Sequence, residues 1–292
     1  MKKKKEQMPK KRKQFTDKRL VIISVALVSI VVLGFLFYQT FMQSPKVEFS
    51  FKAAIIDQVG ENPPSSPESA RAFNETVTSI LEGAGFNVSY HKSESITVNF
   101  YKELAKYNYG LIILRAHSAL REGETEIDFF TSEKFNENFY SDMQDKGLLT
   151  RGNYTWLPGE FYFAITPKFI ESLDGYFPNS IVIAMGCWSL KSDYEEMAQA
   201  FIKKGAKAYI GWTDAVSMSH SDNSTVRFLQ YLLEKNMTIS DAIDKCNTFR
   251  DLVYYSAEFS YYPSKVGNYK LSDFTASAVL NISFNKKQEI AF

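Results

Sequence analysis

The chain has 292 residues, and its 34 Lys and Arg side chains nearly balance its 33 Asp and Glu, which gives a formal net charge of +1 at pH 7. Two cysteines cannot form a disulfide framework, although one bridge between them stays open, and three histidines without metal-ligand spacing argue against a structural zinc site. We therefore expect no metal and no organic cofactor.

The first forty residues are strongly asymmetric in charge. Residues 1–19 contain ten Lys or Arg and two acidic side chains, whereas residues 20–38 carry no charge and are mostly Val, Ile, Leu and Phe. A helix of that length would cross about 28 Å of hydrocarbon, so the pattern predicts a basic cytoplasmic tail, a transmembrane anchor over 20–39 and a stalk over 40–49. The run is long and lacks a small-residue cleavage site, which argues against a signal peptide. A buried core helix behind a solvated basic tail is the alternative.

The rest of the chain has the opposite charge. It holds 24 basic and 31 acidic residues, a formal charge of about −7, so we expect no nucleic-acid partner. Six Asn-x-Ser/Thr sequons favour an exported domain, and they begin at Asn74, Asn87, Asn153, Asn223, Asn236 and Asn281. The predicted location is the cell membrane, with one span, a cytoplasmic amino terminus and the larger domain outside.

Residues 50–292 are predicted to form one α/β domain. Apolar strand patterns occur at "VEFSFKAAIIDQ", "FNVSYH", "YGLIILRAH", "SIVIAMGC" and "AKAYIGW", and amphipathic helix patterns alternate with them or follow them. Near-continuous apolar strands separated by helices are typical of a mostly parallel sheet with helices on both faces. Residues 119–168 interrupt this rhythm with short aromatic-rich strand patterns, so we expect a β-rich insertion at the rim of the site.

Two strands end in residues that carry chemistry. His117 follows "YGLIILRA" and Cys187 follows "IVIAMG". Because parallel strands deliver their carboxyl ends to one edge of a sheet, we expect the imidazole and the thiol to form a base and nucleophile pair for acyl transfer. Gly186 would allow a tight turn, and the amides of Cys187 and of Ser118, in the turn after the histidine, would form an oxyanion hole. The alternative for Cys187 is a buried structural thiol.

The order of a strand with histidine and then a strand with cysteine resembles the caspase–gingipain group of cysteine peptidases. The stretch "MAQAFIKKGAKAYIGWTDAVSMSHSD" is similar to the helix, strand and Trp-bearing loop that follow the nucleophile in that group, and the resemblance covers roughly residues 50–255. It implies a caspase-like three-layer sandwich, a dyad of His117 and Cys187, and Trp212 as a wall of the substrate pocket. Ser118 stands where the group usually has glycine, and the insertion lengthens the spacing between the dyad residues.

Two acidic residues are candidates for substrate recognition. Asp57 ends the first strand and Asp214 follows the tryptophan, so either is able to hold a basic substrate side chain, as acidic pockets do in the Arg- or Lys-selective members of the group. The alternative for each is a solvated turn residue. His220 is expected in a loop, with a share in substrate binding as its alternative, and Cys246 in the core of a helix.

The sequence thus predicts a membrane-tethered cysteine endopeptidase that acts on a peptide or protein substrate, and the two acidic candidates suggest cleavage after basic residues. A catalytically inactive domain of the same fold, used for sensing or adhesion at the surface, is the alternative.

Overall fold

The structure is a computed structural model, and it describes residues 26–34, 48–60, 65–121, 123 and 125–275. The chain divides into two compact units, Met1–Lys46 and Val47–Phe292. The predicted basic tail, most of the predicted stalk and the sequon at Asn281 lie outside the described residues.

The predicted transmembrane helix is the point at which the expected fold class is wrong. Residues 26–34 are helical, and the other residues of the predicted anchor, 20–25 and 35–39, lie outside the described residues. Of the helices in the described residues, none combines the length and the apolar character needed to cross a membrane. The described residues form a mixed α/β fold without a membrane-spanning helix.

Ten strands among the described residues of the second unit form two sheets. They are β1 (Lys52–Asp57), β2 (Asn87–His91), β3 (Leu111–Arg115), β4 (Ser118–Leu120), β5 (Ile127–Lys134), β6 (Leu149–Asn153), β7 (Phe161–Ile165), β8 (Ile181–Ala184), β9 (Ala208–Trp212) and β10 (Phe259–Tyr262). The larger sheet has the order β10-β9-β8-β3-β1-β2, and the smaller one has the order β4-β5-β7-β6. All pairings in the larger sheet are parallel except that of β9 with β10, and the smaller sheet is antiparallel.

Seven α-helices accompany these strands among the described residues of the second unit. They are α1 (Pro67–Gly83), α2 (Val98–Glu103), α3 (Ser141–Asp145), α4 (Pro167–Ser172), α5 (Glu196–Lys203), α6 (Met218–Leu229) and α7 (Ile239–Cys246). Helix α6 runs on into a π-helical turn, Gln230–Glu234. Several helices begin at a hydroxyl cap: Ser217 Oγ accepts the His220 N–H in α6, for example, which fixes where that helix starts.

The larger sheet is covered on both faces because its central strands β3 and β8 are apolar except for Arg115 at the end of β3. Along β3, Leu111 and Ile113 contribute to one hydrophobic cluster and Ile112 and Leu114 to a second. Side chains of α1, α6 and α7 join the first cluster, and side chains of α2, α4 and α5 join the second. Alternation of side chains along a strand therefore produces two cores and three layers from one continuous apolar run.

The smaller sheet lies between β3 and β8 in the chain. Its inward side chains Phe129, Phe163 and Ile165 pack into the second cluster, so the segment is part of the main core as well as a rim. At its end, Thr166 caps α4 by accepting the Phe169 N–H at 3.2 Å, and the chain returns to the larger sheet.

Candidate active site

The carboxyl ends of β3 and β8 bring His117 and Cys187 to one cavity. The two strands are parallel neighbours, Leu114 is opposite Ala184, and the Met185 N–H donates to the Leu114 carbonyl at 2.9 Å. His117 and Cys187 each come three residues after this last matched pair. Both line a cavity of 310 Å³. The sequence-based expectation that they share an edge therefore corresponds to a shared cavity.

The segments that carry the two residues are in direct contact. Ser118 Oγ donates a hydrogen bond to the Cys187 carbonyl at 2.6 Å. A Cβ at position 186 would collide with Ser118 Oγ and would lie 2.6 Å from the Ala116 carbonyl oxygen. Gly186 is thus required by close approach of two backbones. The left-handed residue of the turn is Trp188, with φ of 56°, so the tight turn comes after the cysteine and does not occur at the glycine.

The Cys187 thiol is held by the backbone of the segment that follows β9. Cys187 Sγ donates to the Val216 carbonyl at 3.6 Å and accepts the Val216 N–H at 3.5 Å. Burial raises the pKa of this thiol, the carboxylates of Asp214 and Asp251 raise it further, and the Val216 hydrogen bond offsets part of the effect. The resting group is therefore a neutral thiol.

The His117 imidazole lies in an aromatic environment. Its ring centroid is 4.9 Å from that of Tyr154 and 5.2 Å from that of Trp156, and both residues come from the segment after β6. Burial lowers the pKa of His117 to about 4, with the nearby positive charge of Arg115 as the second cause. The ring is therefore neutral near pH 7. Within the part of the chain that the structure describes, no hydrogen bond joins this ring to Cys187.

The amides of Cys187 and Ser118, from which an oxyanion hole is expected, both lie beside Gly186. Among the described residues, the Cys187 N–H makes no hydrogen bond to another residue. Ser118 is opposite Phe129, and the Phe130 N–H donates to the His117 carbonyl at 2.9 Å, so Ser118 and Phe129 form a non-hydrogen-bonded pair. The Ser118 N–H consequently points away from β5, on the side of Gly186.

A buried ion triad underlies the cavity. Arg115 Nη1 donates to Asp57 Oδ1 at 2.7 Å, and Arg115 Nε and Nη2 donate to the two carboxylate oxygens of Asp222 at 2.9 and 3.0 Å. Desolvation by burial acts to lower the pKa of Arg115, but the hydrogen bonds and charges of Asp222 and Asp57 together raise it above its usual value. Burial raises the pKa of Asp222. Arg115 and Asp222 line the cavity, and Asp57 does not.

Trp212 does not line the cavity, although the resemblance to the peptidase group implies that it forms a wall of the substrate pocket. It is fully buried, its Nε1 donates to Ser221 Oγ at 3.0 Å, and its ring lies 4.7 Å from that of Phe259. It is therefore a core residue of β9. The tryptophan that lines the cavity is Trp156 of the smaller sheet's segment, which sequence reasoning missed because nothing local marks it as facing His117.

Asp57 and Asp214 are also engaged within the protein. Asp57 Oδ1 accepts the Gly60 N–H in addition to Arg115. Asp214 accepts hydrogen bonds from Ser256 Oγ, the Ala215 N–H and Trp188 Nε1, and these bonds, led by the one from Ser256, lower its pKa. Neither carboxylate lines the cavity, so neither is placed to meet a basic substrate side chain there.

The remaining histidine and cysteine candidates, His220 and Cys246, make contacts with residues of the core. His220 lies in the first turn of α6, 5.3 Å from the Trp212 ring, and burial lowers its pKa. Cys246 is buried in α7, donates to the Ser224 carbonyl, and has a pKa raised to about 12 by burial. Both Cys187 and Cys246 are free thiols. His220, expected in a loop, is helical.

Comparison with known proteins adds little to this geometry. No protein-family model matches the chain, and no curated protein matches it. Among solved structures, the Arg-specific cysteine proteinase gingipain R (RGPB) is similar, with a TM-score of 0.41 and 11% sequence identity over 65% of this chain. The match spans 38% of that chain, well under two thirds of its length. A TM-score this low carries no argument about activity.

Proposed function

We propose that the chain is a cysteine endopeptidase in which Cys187 is the nucleophile and His117 the base. The observation that carries this proposal is that one cavity is lined by a thiol and a neutral imidazole, each at the carboxyl end of adjacent parallel strands. The cavity is open to an extended peptide on the side of Trp156 and Val253, whose side chains are exposed.

The proposed reaction proceeds through a thioester. The His117 ring takes the thiol proton as Cys187 Sγ bonds to the peptide carbonyl carbon, and the N–H groups of Cys187 and Ser118 stabilise the oxyanion. As the C–N bond breaks, the imidazolium returns the proton to the leaving amine. A water molecule, deprotonated by the same ring, then hydrolyses the thioester and regenerates the thiol.

Burial of the resting site favours the neutral forms of Cys187 and His117. Burial raises the thiol pKa of Cys187 and lowers the imidazole pKa of His117, so a thiolate–imidazolium pair is disfavoured before substrate arrives. Proton transfer is then expected to accompany attack on the carbonyl carbon. This arrangement gives a slow nucleophile compared with a preformed thiolate.

The test uses a peptidyl acyloxymethyl ketone, a substrate mimic that alkylates catalytic cysteines. The wild-type chain should be labelled at Cys187, and Cys187→Ala should abolish labelling. Cys246→Ala is the matched control because it removes the other free thiol, which is buried and hydrogen-bonded away from the cavity. Labelling at Cys246, or equal labelling of both variants, would rule the proposal out.

A catalytically silent binding module is the second candidate function. The observation that favours it is that the thiol is satisfied by the Val216 backbone and not by His117. A silent module would bind extended peptides without reacting with the ketone, including after attempted proteolytic activation. Sensing or adhesion would then be the role of the cavity.

A further inference from the structure

The cavity beside Cys187 differs from an acidic or basic recognition pocket. Most of its wall is apolar, formed by Val59, Ala116, Trp156, Met185, Val216, Met218, Val253 and Tyr254. We infer that it accepts an uncharged, apolar side chain of an extended peptide, the one next to the bond that Cys187 attacks. This inference rests on the proposed function and specifies its substrate class.

A basic side chain finds no free carboxylate in the cavity. Asp222 is the acidic residue on the wall, and both of its oxygens accept N–H groups of Arg115 in a two-point ion pair. Asp57 accepts hydrogen bonds from Arg115, Gly60 and Tyr90 and is fully buried. A Lys or Arg of the substrate would lose its hydration and would have to compete with an existing paired guanidinium, which is unfavourable.

An acidic side chain of the substrate likewise finds no free positively charged partner in Arg115. The guanidinium of Arg115 has five N–H donors, and all five have acceptors within the protein. The acceptors are Asp57, Gly60, Ser65 and Asp222, the last through two bonds. No N–H of Arg115 is left to bind a substrate carboxylate. The two charged residues of the wall, Arg115 and Asp222, therefore pair with each other and not with a ligand.

The mouth of the cavity continues the apolar character of the wall. Val253 is 66% exposed although it lines the cavity, and Tyr254 is exposed beside it. Their loop is fixed by Asp251, whose carboxylate accepts the N–H groups of Ser217, Val253 and Tyr254. An apolar side chain entering the cavity would cover Val253 and Tyr254 and gain from removal of that surface from water.

The experiment measures binding on Cys187→Ala, so that it does not depend on turnover. Peptides identical except for Leu, Met, Arg, Lys, Asp or Glu at the position before the scissile bond are compared by calorimetry. We expect the Leu and Met peptides to bind at least tenfold more tightly than the four charged ones. Equal binding, no measurable binding, or a preference for a charged residue overturns the inference.

A pair of variants tests the same point from the protein side. Val253→Asp in the Cys187→Ala chain adds a free carboxylate at the cavity mouth and should raise the affinity for the Arg peptide at least fivefold. Leu252→Asp adds the same charge at the neighbouring residue, which is 82% exposed and does not line the cavity, and should leave it unchanged. An equal effect of both variants would contradict the inference.

These outcomes separate the two proposals. If the ketone fails to label wild type while the Cys187→Ala chain still prefers apolar peptides, the peptidase function fails and the specificity of the cavity stands. If wild type is labelled and cleaves after Arg or Asp in preference to Leu, the inference fails and the peptidase function stands.

Discussion

Ser118 Oγ donates a hydrogen bond to the Cys187 carbonyl at 2.6 Å, and this bond joins the first residue of β4 to the segment that follows β8. The residue after the proposed base is therefore tied directly to the proposed nucleophile. Because Ser118 is buried, no water molecule replaces this hydrogen bond when it is lost. The relative position of the two segments therefore depends on the bond.

Ser118→Ala should loosen this connection. The Cys187 carbonyl would lose its donor, so we expect a loss of about 1–2 kcal/mol in unfolding free energy and a fall of roughly tenfold in the rate of ketone labelling. Urea denaturation and labelling kinetics measure the two effects. Ser95→Ala is the matched control, since Ser95 Oγ donates to the Lys92 carbonyl at the same 2.6 Å but at an exposed site. An equal stability loss in both variants would contradict the prediction.

Gly186→Ala should destabilise the site by overpacking. The added Cβ would lie 2.6 Å from the Ala116 carbonyl oxygen, a backbone atom that cannot move aside locally. We expect a loss of about 1–3 kcal/mol, measured by thermal or urea unfolding. Gly83→Ala is the control because an added Cβ there meets no atom within 4 Å, and its stability should be unchanged or slightly higher. A neutral effect of Gly186→Ala would show that the two segments are further apart than described.

The pH dependence of alkylation should distinguish a neutral thiol from a thiolate ion pair. The pKa of Cys187 is raised above its ordinary value, so the iodoacetamide rate in a Cys246→Ala background should be low at pH 7 and should reach its midpoint at a higher pH than the rate of free cysteine. A rate midpoint below pH 7 would contradict this prediction. The control is free cysteine under the same conditions, which should react faster than the protein at pH 8.

Protonation of His117 should be linked to folding. Its pKa is about 4 in the folded chain and near 6.5 when unfolded, so the unfolded state takes up the proton first as pH falls. The stabilisation from keeping the ring neutral is present above pH 6.5 and is lost as pH falls from 6.5 towards 4. His117→Phe should flatten this part of the stability curve, measured by urea unfolding at several pH values. His91→Phe, at a less buried ring, serves as the comparison, and an equal flattening in both variants would count against the prediction for His117.

Arg115→Met should be among the most damaging single changes in the second unit. It would leave Asp57 and Asp222 buried without their common partner, at a cost of about 3–5 kcal/mol. Arg250→Met is the matched control, because the pair of Arg250 and Glu258 is solvent-exposed and contributes less than about 1 kcal/mol. Comparable losses in the two variants, measured by denaturant unfolding, would refute the structural role of the triad.

Several features of the site were predictable from sequence because they follow from local pattern. An apolar run such as residues 111–114 is buried on both faces, and a parallel sheet delivers the ends of such runs to one edge. That reasoning was enough to nominate His117 and Cys187, and the cavity they share is what the structure adds. Their catalytic role stays a prediction.

Other features depend on contacts between residues far apart in the chain. Trp212 ends an apolar strand and carries a polar N–H, so its position in the sequence is compatible with a pocket wall and with a core site. Its hydrogen bond to Ser221, which only the tertiary structure shows, identifies it as a core residue. The transmembrane helix was predicted from an uncharged apolar run behind a basic tail, a local pattern that reports the environment a segment prefers. Among the described residues, no helix has the length and apolar character to cross a membrane.

By itself, the sequence determined the alternation of strands and helices and the two strand ends that are followed by His117 and Cys187, because side-chain periodicity is a local property. The charge of the cavity was decided only by the tertiary structure. Arg115 pairs with Asp57 and with Asp222, 58 and 107 positions away along the chain, and that pairing removes Asp57 as the free carboxylate that the sequence analysis proposed for substrate recognition. Whether a charged side chain recognises a ligand or a neighbour depends on which groups the fold brings within hydrogen-bond distance.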